Sequence, residues 1–213
     1  MRLNEARRDL YRRLAKEQGY KSRAAFKLLE ANERYGFLRP GGRVLDFGAA
    51  PGGWLQVASQ LVGPTGIVVG VDIIPIRLKE KNVIALRMDV NDTEVPFKMA
   101  SALGGRADVI LSDLAPSVSG VWELDQTRQV DLTLRVLELC PLLLKDRGGA
   151  FFKLFEGERS QEVRDAFRGT FNSVRVLKPA ASRNASSELY YYCERLAQTR
   201  DLPPSSVLEA KAD

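Results

Sequence analysis

LDFGAAPGGW, at residues 45–54, is the most informative segment of this 213-residue chain. A short apolar run ends there in a glycine cluster, Gly48, Gly52 and Gly53, and Trp54 follows. Glycines between a first strand and a first helix are typical of a loop that binds a ligand through its backbone. The segment therefore predicts a nucleotide-type binding loop, and the residues around it have to identify the ligand.

Short apolar runs and amphipathic segments alternate along the rest of the chain. Two helices are expected first, at 4–17 and 23–35, and a long one later, at about 125–145. The runs typical of strands are, in order, RVLDF, GIVVGVDI, NVIALRMDV, ADVILSDL, GAFFKLF, SVRVLKP and SELYYYCERL. This alternation predicts an α/β fold, with a mostly parallel sheet and helices on both faces.

Charge is unevenly distributed along the sequence. Residues 1–40 contain 11 Lys+Arg against 5 Asp+Glu, whereas the whole chain has a net charge of +5. The basic residues of this part include Arg7, Arg8, Arg12, Arg13, Lys16, Lys21, Arg23, Lys27 and Arg34. A solvated helix face is one explanation, but the asymmetry favours a basic helical extension that binds nucleic acid. We expect the main domain at 41–196 and a polar, disordered tail at 197–213.

The residue types in the sequence exclude several kinds of site. The chain has no histidine and 2 cysteines, so a zinc site closed by nitrogen and sulfur ligands is excluded, as is a serine–histidine triad. We expect no metal, and two buried thiols, Cys140 and Cys193, in a reducing compartment. No apolar run is long enough to span a membrane, and no secretory signal is visible. We therefore expect a cytoplasmic protein.

The glycine loop matches neither of the two common phosphate-binding loops. A dinucleotide fold has a glycine two residues after the position of Gly48, and a P-loop has Lys-Ser/Thr after its last glycine. This chain has neither. Asp72 ends the next apolar run, where a carboxylate can bind both ribose hydroxyls, and Asp89 ends the following one, where it can receive an adenine amino group. Strand-end aspartates also cap turns. Together with the loop they favour S-adenosylmethionine over NAD.

Six blocks in a fixed order carry a resemblance to a known family. They are KSRAAFKL (21–28), LDFGAAPGGW (45–54), VGVDIIP (69–75), LSDLAPSVSG (111–120), FFKLFEG (151–157) and SSELYYYC (186–193). Together they resemble the FtsJ/RrmJ-type ribose 2′-O-methyltransferases, which act on ribosomal RNA, over roughly residues 10–195. The resemblance implies a Rossmann-like methyltransferase domain, with seven strands of which the last is antiparallel. One departure concerns the substrate pocket: Ser117 and Val118 stand where family members often carry Asn and Met.

The resemblance also implies a set of site residues. The catalytic set of two lysines and two acids falls on Lys27, Asp113, Lys153 and Glu188. The cofactor contacts fall on the glycine loop and on acids that follow strands, namely Gly48, Gly52, Gly53, Trp54, Asp72, Asp89 and Asp113. Because histidine is absent, Lys153 is the candidate base for a ribose hydroxyl, either as a neutral amine or as a charged group that orients the hydroxyl.

These observations predict an enzyme that uses S-adenosylmethionine to methylate a ribose 2′-hydroxyl, on a uridine of large-subunit (23S-type) ribosomal RNA, as a monomer. The basic extension is then an RNA-binding segment. Transfer RNA is the alternative substrate. A non-catalytic RNA-binding or ribosome-assembly factor on the same scaffold is the alternative class, and an NAD oxidoreductase is disfavoured. Trp122 is a candidate stacking or lid residue, whereas Tyr190 and Tyr192 are expected to pack in the core.

Overall fold

The computed structural model describes residues 3–117, 119–182 and 187–197, without the side chains of residues 3–9. The strands of this part are β1 (Arg43–Phe47), β2 (Ile67–Asp72), β3 (Val83–Arg87), β4 (Ala107–Ser112), β5 (Leu144–Phe155), β6 (Phe171–Leu177) and β7 (Glu188–Leu196). Its helices are α1 (Leu3–Glu17), α2 (Ala24–Tyr35), α3 (Gly53–Val62), α4 (Val95–Leu103), α5 (Trp122–Leu143) and α6 (Ser160–Thr170). Val118 and almost all of the predicted tail, from residue 198 on, lie outside the described residues.

The seven strands form one sheet in the order β3-β2-β1-β4-β5-β7-β6. Parallel pairing joins β3, β2, β1, β4 and β5. The last strand, β7, lies between β5 and β6 and is antiparallel to both. The predicted α/β fold, a mostly parallel seven-stranded sheet with an antiparallel last strand, is therefore confirmed.

The central strand β1 shows why this sheet has helices on both faces. Its side chains alternate between two buried clusters. Leu45 and Phe47 belong to the cluster that is covered by α4, α5 and α6. Val44 belongs to the cluster that is covered by α2 and α3. Because both faces of the strand are buried, three of its five residues are apolar, and they lie on both faces.

Helix α2 packs in the core of the sheet domain. Its apolar face contributes three fully buried residues to the same cluster as Trp54, namely Ala25, Leu28 and Ala31. Helix α1 contacts α2 through a ring contact between Tyr11 and Phe26, with 5.4 Å between ring centroids. The helix that carries Lys27 is thus held rigidly against the sheet. The predicted domain boundary at residue 40 stays a prediction.

Two elements differ from the sequence prediction. Helix α4 was not predicted, although Pro96 lies in its first turn and Gly104 closes it in the left-handed conformation. Its buried residues Val95, Met99 and Leu103 follow the helical period. Strand β5 begins at Leu144 instead of Gly149, because Leu144 already pairs with the start of β4 before the register shifts.

Three further features of the described residues concern the thiols, possible membrane-spanning helices and possible metal sites. Cys140 and Cys193 are free, buried thiols, as predicted, and burial raises the pKa of both. Within the described ranges, no helix is long and apolar enough to cross a bilayer. The same part of the chain has no group of three or more acidic, cysteine or histidine residues that could hold a metal ion.

Candidate active site

The glycine loop leaves the carboxyl end of β1 and leads into α3, and β2 holds it in place. The amides of Gly48 and Ala49 donate to the carbonyl oxygen of Val71, at 3.0 and 3.2 Å. The amide of Ala50 donates to Asp72 Oδ2 at 2.9 Å. The loop is therefore a fixed structure, and Asp72 is part of what fixes it.

Backbone conformation, close contacts or both favour glycine at three positions of the loop. Gly48 has a positive φ, of 76°. Gly52 has a φ of 111°, a conformation that other residues rarely adopt. A Cβ atom on Gly48 would lie 2.8 Å from the Cα atom of Leu114, and one on Gly53 would lie 2.3 Å from Ser22 Oγ. At Gly48 and Gly53 the close approach is thus made by the chain itself, by the segment after β4 and by the segment before α2.

A cavity of about 230 Å³ opens between this loop and the first turn of α2. Its lining joins the loop, from Gly48 to Trp54, to two of the predicted catalytic residues, Lys27 and Asp113. A larger cavity, of about 1280 Å³, lies beside Arg106 at the opposite edge of the sheet, where β4 begins. None of the predicted site residues lines it. The smaller cavity is therefore the candidate site, because polar groups converge on it.

The four predicted catalytic residues come together from α2, the end of β4, β5 and β7. Lys153 Nζ lies 2.9 Å from Asp113 Oδ1 and donates to the Asp113 carbonyl oxygen at 2.8 Å. Lys27 Nζ forms an ion pair with Glu188 and donates to the hydroxyl of Tyr190 at 2.9 Å. The result is two adjacent lysine–carboxylate pairs.

Tyr190 connects the two lysine–carboxylate pairs. The sequence did not predict this role for Tyr190. Lys153 on β5 is directly opposite Tyr190 on β7, so both side chains lie on the same face of the sheet. The ring of Tyr190 stacks on Phe151, as expected of a packing residue, with 5.3 Å between centroids. Its hydroxyl also lies 3.5 Å from Asp113 Oδ1. Burial, and then the charges of Asp113 and Glu188, raise the pKa of Tyr190, which keeps the phenol protonated.

Both lysines of the cluster are almost inaccessible to solvent. Lys27 is 5% exposed and Lys153 is 7% exposed, so each ammonium needs a carboxylate partner. Burial raises the pKa of Glu188, but its interactions with Lys27, Ser182 and Lys153 together lower it below the ordinary value, and the charge and hydrogen bond of Lys27 contribute most of this decrease. A hydrogen bond from Ser182 Oγ, at 2.9 Å, and the charge of Lys153 lower that pKa further. Glu188 is therefore a carboxylate at neutral pH.

Asp46 adds a further carboxyl group, one that the sequence analysis did not consider. It is fully buried in β1, and neither of its oxygens has a hydrogen-bond partner among the described residues. Burial, followed by the charges of Asp113 and Asp72, raises its pKa well above the ordinary value. Besides burial, the raised pKa of Asp46 reflects the negative potential that Asp72 and Asp113 create beside the loop, at the ends of β2 and β4. That potential suits a cofactor with a sulfonium and an amino group, and it opposes a pyrophosphate.

The remaining predicted cofactor residues also serve the protein's own structure. Asp72 Oδ1 accepts the amide of Ile74 at 2.9 Å. Asp89 is exposed, and its Oδ1 accepts the amide of Asn91 at 2.9 Å, which caps the turn after β3. Trp54 is 3% exposed, and its indole nitrogen donates to the Ala24 carbonyl oxygen at 2.8 Å. Cofactor contacts by these three residues stay predictions.

The chain is similar to known methyltransferases over most of its length. Residues 20–196 match the family model described as FtsJ-like methyltransferase. The ribosomal RNA large subunit methyltransferase E of Methanothermobacter thermautotrophicus is 46% identical over 187 residues, which cover 87% of this chain and 89% of that one.

Solved structures resemble the fold. A Plasmodium falciparum protein described as a ribosomal RNA methyltransferase superposes with a TM-score of 0.73 and 26% identity, over 83% of this chain and 98% of that one. Aeropyrum pernix fibrillarin, solved with bound S-adenosyl-L-methionine, superposes with a TM-score of 0.57 over 79% of this chain and 75% of that one. At 16% identity, the second similarity concerns the fold alone.

Proposed function

We propose that this chain, which belongs to the FtsJ-like methyltransferase family, methylates a ribose 2′-hydroxyl of large-subunit ribosomal RNA with S-adenosylmethionine. The observation that carries the proposal is the pairing of Lys153 with Asp113 and of Lys27 with Glu188, beside the glycine loop. The name of the relative that is 46% identical supports the choice of substrate. A uridine as the target nucleotide stays a prediction, and transfer RNA is the alternative substrate.

The proposed cofactor site combines backbone and carboxylate groups. When bound, S-adenosylmethionine supplies an electrophilic methyl group on a positively charged sulfur. The loop backbone from Gly48 to Gly53 would hold its methionine part, Asp72 its ribose and Asp89 the adenine end. The negative charges of Asp72 and Asp113 favour the positive charge of the cofactor.

The proposed reaction joins the ribose oxygen to the methyl carbon while the carbon–sulfur bond breaks and its electron pair stays on sulfur. The hydroxyl proton passes to solvent water in the same step. Asp113 occupies two of the positions around Lys153 Nζ. We assign another position to the ribose oxygen, where the lysine orients the hydroxyl and stabilises the negative charge that develops on it. Lys27 and Glu188 keep this arrangement rigid through Tyr190.

Removing the side chain of Lys153 tests the proposal. Lys153→Ala should lower single-turnover methyl transfer to large-subunit ribosomal RNA at least about a hundredfold, the usual scale for a positioned acid–base group. Lys153→Arg should not restore transfer, because a guanidinium is planar, larger and delocalises its charge, so it cannot take the place of a compact ammonium. Thermal stabilisation by S-adenosylmethionine should persist in both variants, and NAD should stabilise neither the variants nor the wild type.

Lys145→Ala is the matched control for this experiment. Lys145 lies on the same strand, β5, and also forms an ion pair with an aspartate of β4, Asp108 at the start of that strand, at 2.6 Å. That pair lies at the opposite edge of the sheet, so its loss should leave methyl transfer unchanged. Near wild-type transfer by Lys153→Ala would refute the assigned role. A wild type that binds RNA tightly but methylates none would establish the assembly-factor alternative.

The identity of the substrate needs a separate measurement. Mapping of 2′-O-methyl positions in total RNA, with and without the protein, should reveal one position in large-subunit ribosomal RNA that depends on it. A dependent position in transfer RNA would establish the alternative substrate instead. We infer further that the enzyme is cytoplasmic. We also infer that it acts as a monomer, because one chain supplies every residue proposed for the site.

A further inference from the structure

An exposed apolar patch lies at the start of α5. Its three residues are Val121, Trp122 and Leu124, whose exposed fractions are 54%, 46% and 40%. Single exposed apolar residues are common on protein surfaces, but three exposed apolar residues within four positions, one of them a tryptophan, are typical of a binding surface. The patch follows the segment that begins at Asp113, so it is connected directly to the candidate active site.

One aromatic ring separates this patch from the proposed catalytic lysine. The indole of Trp122 packs against the ring of Phe155, with 5.7 Å between centroids. Lys153 Nζ lies 5.6 Å from the centroid of the same ring. Phe155 is thus the common neighbour of the exposed indole and of the buried ammonium. A ligand on the indole would lie close to a group bound at Lys153.

The position of the patch is fixed by Asp125, one turn into α5. Both oxygens of this buried carboxylate accept the amide of Ser119, at 2.9 and 3.1 Å. Hydrogen bonds from the side chain and the amide of Ser119 lower the pKa of Asp125, so the carboxylate is ionised at neutral pH. The segment before Trp122 is therefore anchored. An anchored aromatic residue can bind a ligand at a low cost in conformational entropy.

We propose that Trp122 is a stacking platform for an unpaired base of the RNA, next to the ribose that is methylated. The inference rests on the proposed function, since the ribose at Lys153 brings the neighbouring base to this patch. A nucleobase is the ligand that fits, because it presents a flat π-face to an indole and stays attached to the reacting ribose. Such stacking is tolerant of sequence. It would hold the nucleotide in register and leave base identity to other contacts.

The two tryptophans of the chain allow a direct test by fluorescence. Trp122 is half-exposed, whereas Trp54 is 3% exposed, so a collisional quencher such as acrylamide should act mainly on Trp122. Saturation with a short oligouridylate should quench the emission of the wild type and protect the rest from acrylamide. An abasic oligonucleotide with the same phosphates should do neither. In Trp122→Phe the emission should no longer respond to RNA.

Binding and turnover provide the second arm of the test. Trp122→Ala should weaken RNA binding and raise the KM for RNA about tenfold, the scale of one base–aromatic stack. Trp122→Phe should retain most of the affinity, because it keeps an aromatic face. Phe97→Ala is the matched control: Phe97 is 76% exposed but lies on α4, and its removal should change neither quantity.

The outcomes separate this inference from the proposed function. If Trp122→Ala binds RNA as tightly as Phe97→Ala, or if saturating RNA leaves the wild-type emission unchanged, the platform is refuted, even when the wild type methylates RNA normally. If the wild type transfers no methyl group but oligouridylate still protects Trp122, base stacking on Trp122 stands, whereas the proposed function fails and with it the placement of that base next to a methylated ribose.

Discussion

Among the carboxyl groups around the glycine loop, Asp46 differs from Asp72 and Asp113 in its hydrogen bonding. Asp72 accepts hydrogen bonds from two backbone amides, and Asp113 forms an ion pair with Lys153. Asp46 has none among the described residues and is fully buried. A carboxyl group in that position is expected to hold its proton, because an unpaired buried charge is costly.

Asp46→Asn should therefore change how stability depends on pH. The folded wild type holds the proton well above the ordinary pKa of 3.8, whereas the unfolded chain releases it near that value. The free energy of unfolding of the wild type therefore decreases as the pH rises from the pKa of Asp46 in the unfolded chain towards its pKa in the folded protein. The variant has no such loss, so its advantage should grow by about 1.4 kcal/mol per pH unit in that window.

Urea denaturation of both proteins between about pH 5 and about pH 8 measures this difference, because stability there follows the difference in bound protons. Asp146→Asn is the control, since the Asp146 side chain is 93% exposed. Its stability relative to wild type should change little with pH. A difference between Asp46→Asn and wild type that also stays constant would show that Asp46 is ionised in the folded protein.

At the level of elements, α5 determines where the end of β5 lies. Pairing between β4 and β5 ends at Phe152, because β4 stops at Ser112. Beyond that point, Gln129 of α5 replaces the missing strand. Its Nε2 donates to the Lys153 carbonyl oxygen at 2.8 Å, and its Oε1 accepts the Phe155 amide at 3.1 Å. The side-chain amide of Gln129 thus continues the hydrogen bonding of the sheet beside Lys153, the residue proposed to act in catalysis.

Gln129→Leu should separate catalysis from binding. It keeps the volume but leaves two buried backbone groups unpaired, which should cost about 3 kcal/mol of stability. The strand end should shift, so kcat should fall about tenfold or more while the KM for RNA changes little. Val130→Ala is the matched control, since this fully buried neighbour contributes to the core and should cost about 2 kcal/mol.

The kcat values of the two variants are compared by steady-state kinetics, well below the melting temperature of both. Val130→Ala should retain the wild-type kcat. If the two variants lose kcat equally, or if Gln129→Leu retains it, Gln129 contributes stability alone and does not position Lys153.

At the level of the whole molecule, the basic residues of the N-terminal part have two different environments. Lys27 is buried in the candidate site. Arg12, Arg13 and Lys16 of α1 and Lys21 after it are exposed. Helix α1 contacts α2 through Tyr11, and these exposed side chains give the N-terminal part a basic surface. This arrangement supports the predicted phosphate contacts, which stay a prediction.

Charge reversal on α1 tests those contacts. Replacing Arg12, Arg13 and Lys16 by Glu should make RNA binding less sensitive to salt, lowering the log–log slope by about 2 units if each side chain contacts one phosphate. Thermal stabilisation by S-adenosylmethionine should not change. The control replaces the exposed residues Lys98 and Arg168, which lie on α4 and α6, by Glu. A slope that is the same in all three proteins would mean that α1 is a solvated helix.

Sequence patterns predicted the central strands of the sheet well because these strands are buried on both faces. RVLDF was predicted as a strand and is one, with four of its five residues buried. Helix α4 escaped prediction although Val95, Met99 and Leu103 have helical spacing, since the helix is short and lies between two strands. The start of β5 was missed because KDRG has the composition of a turn, whereas Leu144 pairs there with β4.

The site was predictable where a motif carries the residue and unpredictable where packing does. Lys27, Asp113, Lys153 and Glu188 lie in four of the resembling blocks, and the structure brings them together. Gln129 is part of no motif, because its partners are backbone groups of a distant strand. Tyr190 and Asp46 stand inside motifs, but their environments depend on burial by helices that sequence spacing does not reveal.

The position of β7 in the sheet has a consequence for the order of assembly. Strand β6 precedes β7 in the chain but joins the sheet only through it, because β7 lies between β5 and β6. Until β7 inserts, β6 has no partner strand, and Glu188 cannot reach Lys27, which is 161 positions away in the sequence. The glycine loop needs only β1, β2 and β4 around it. A folding chain can therefore form its cofactor loop early, whereas it becomes able to react only when the sheet closes.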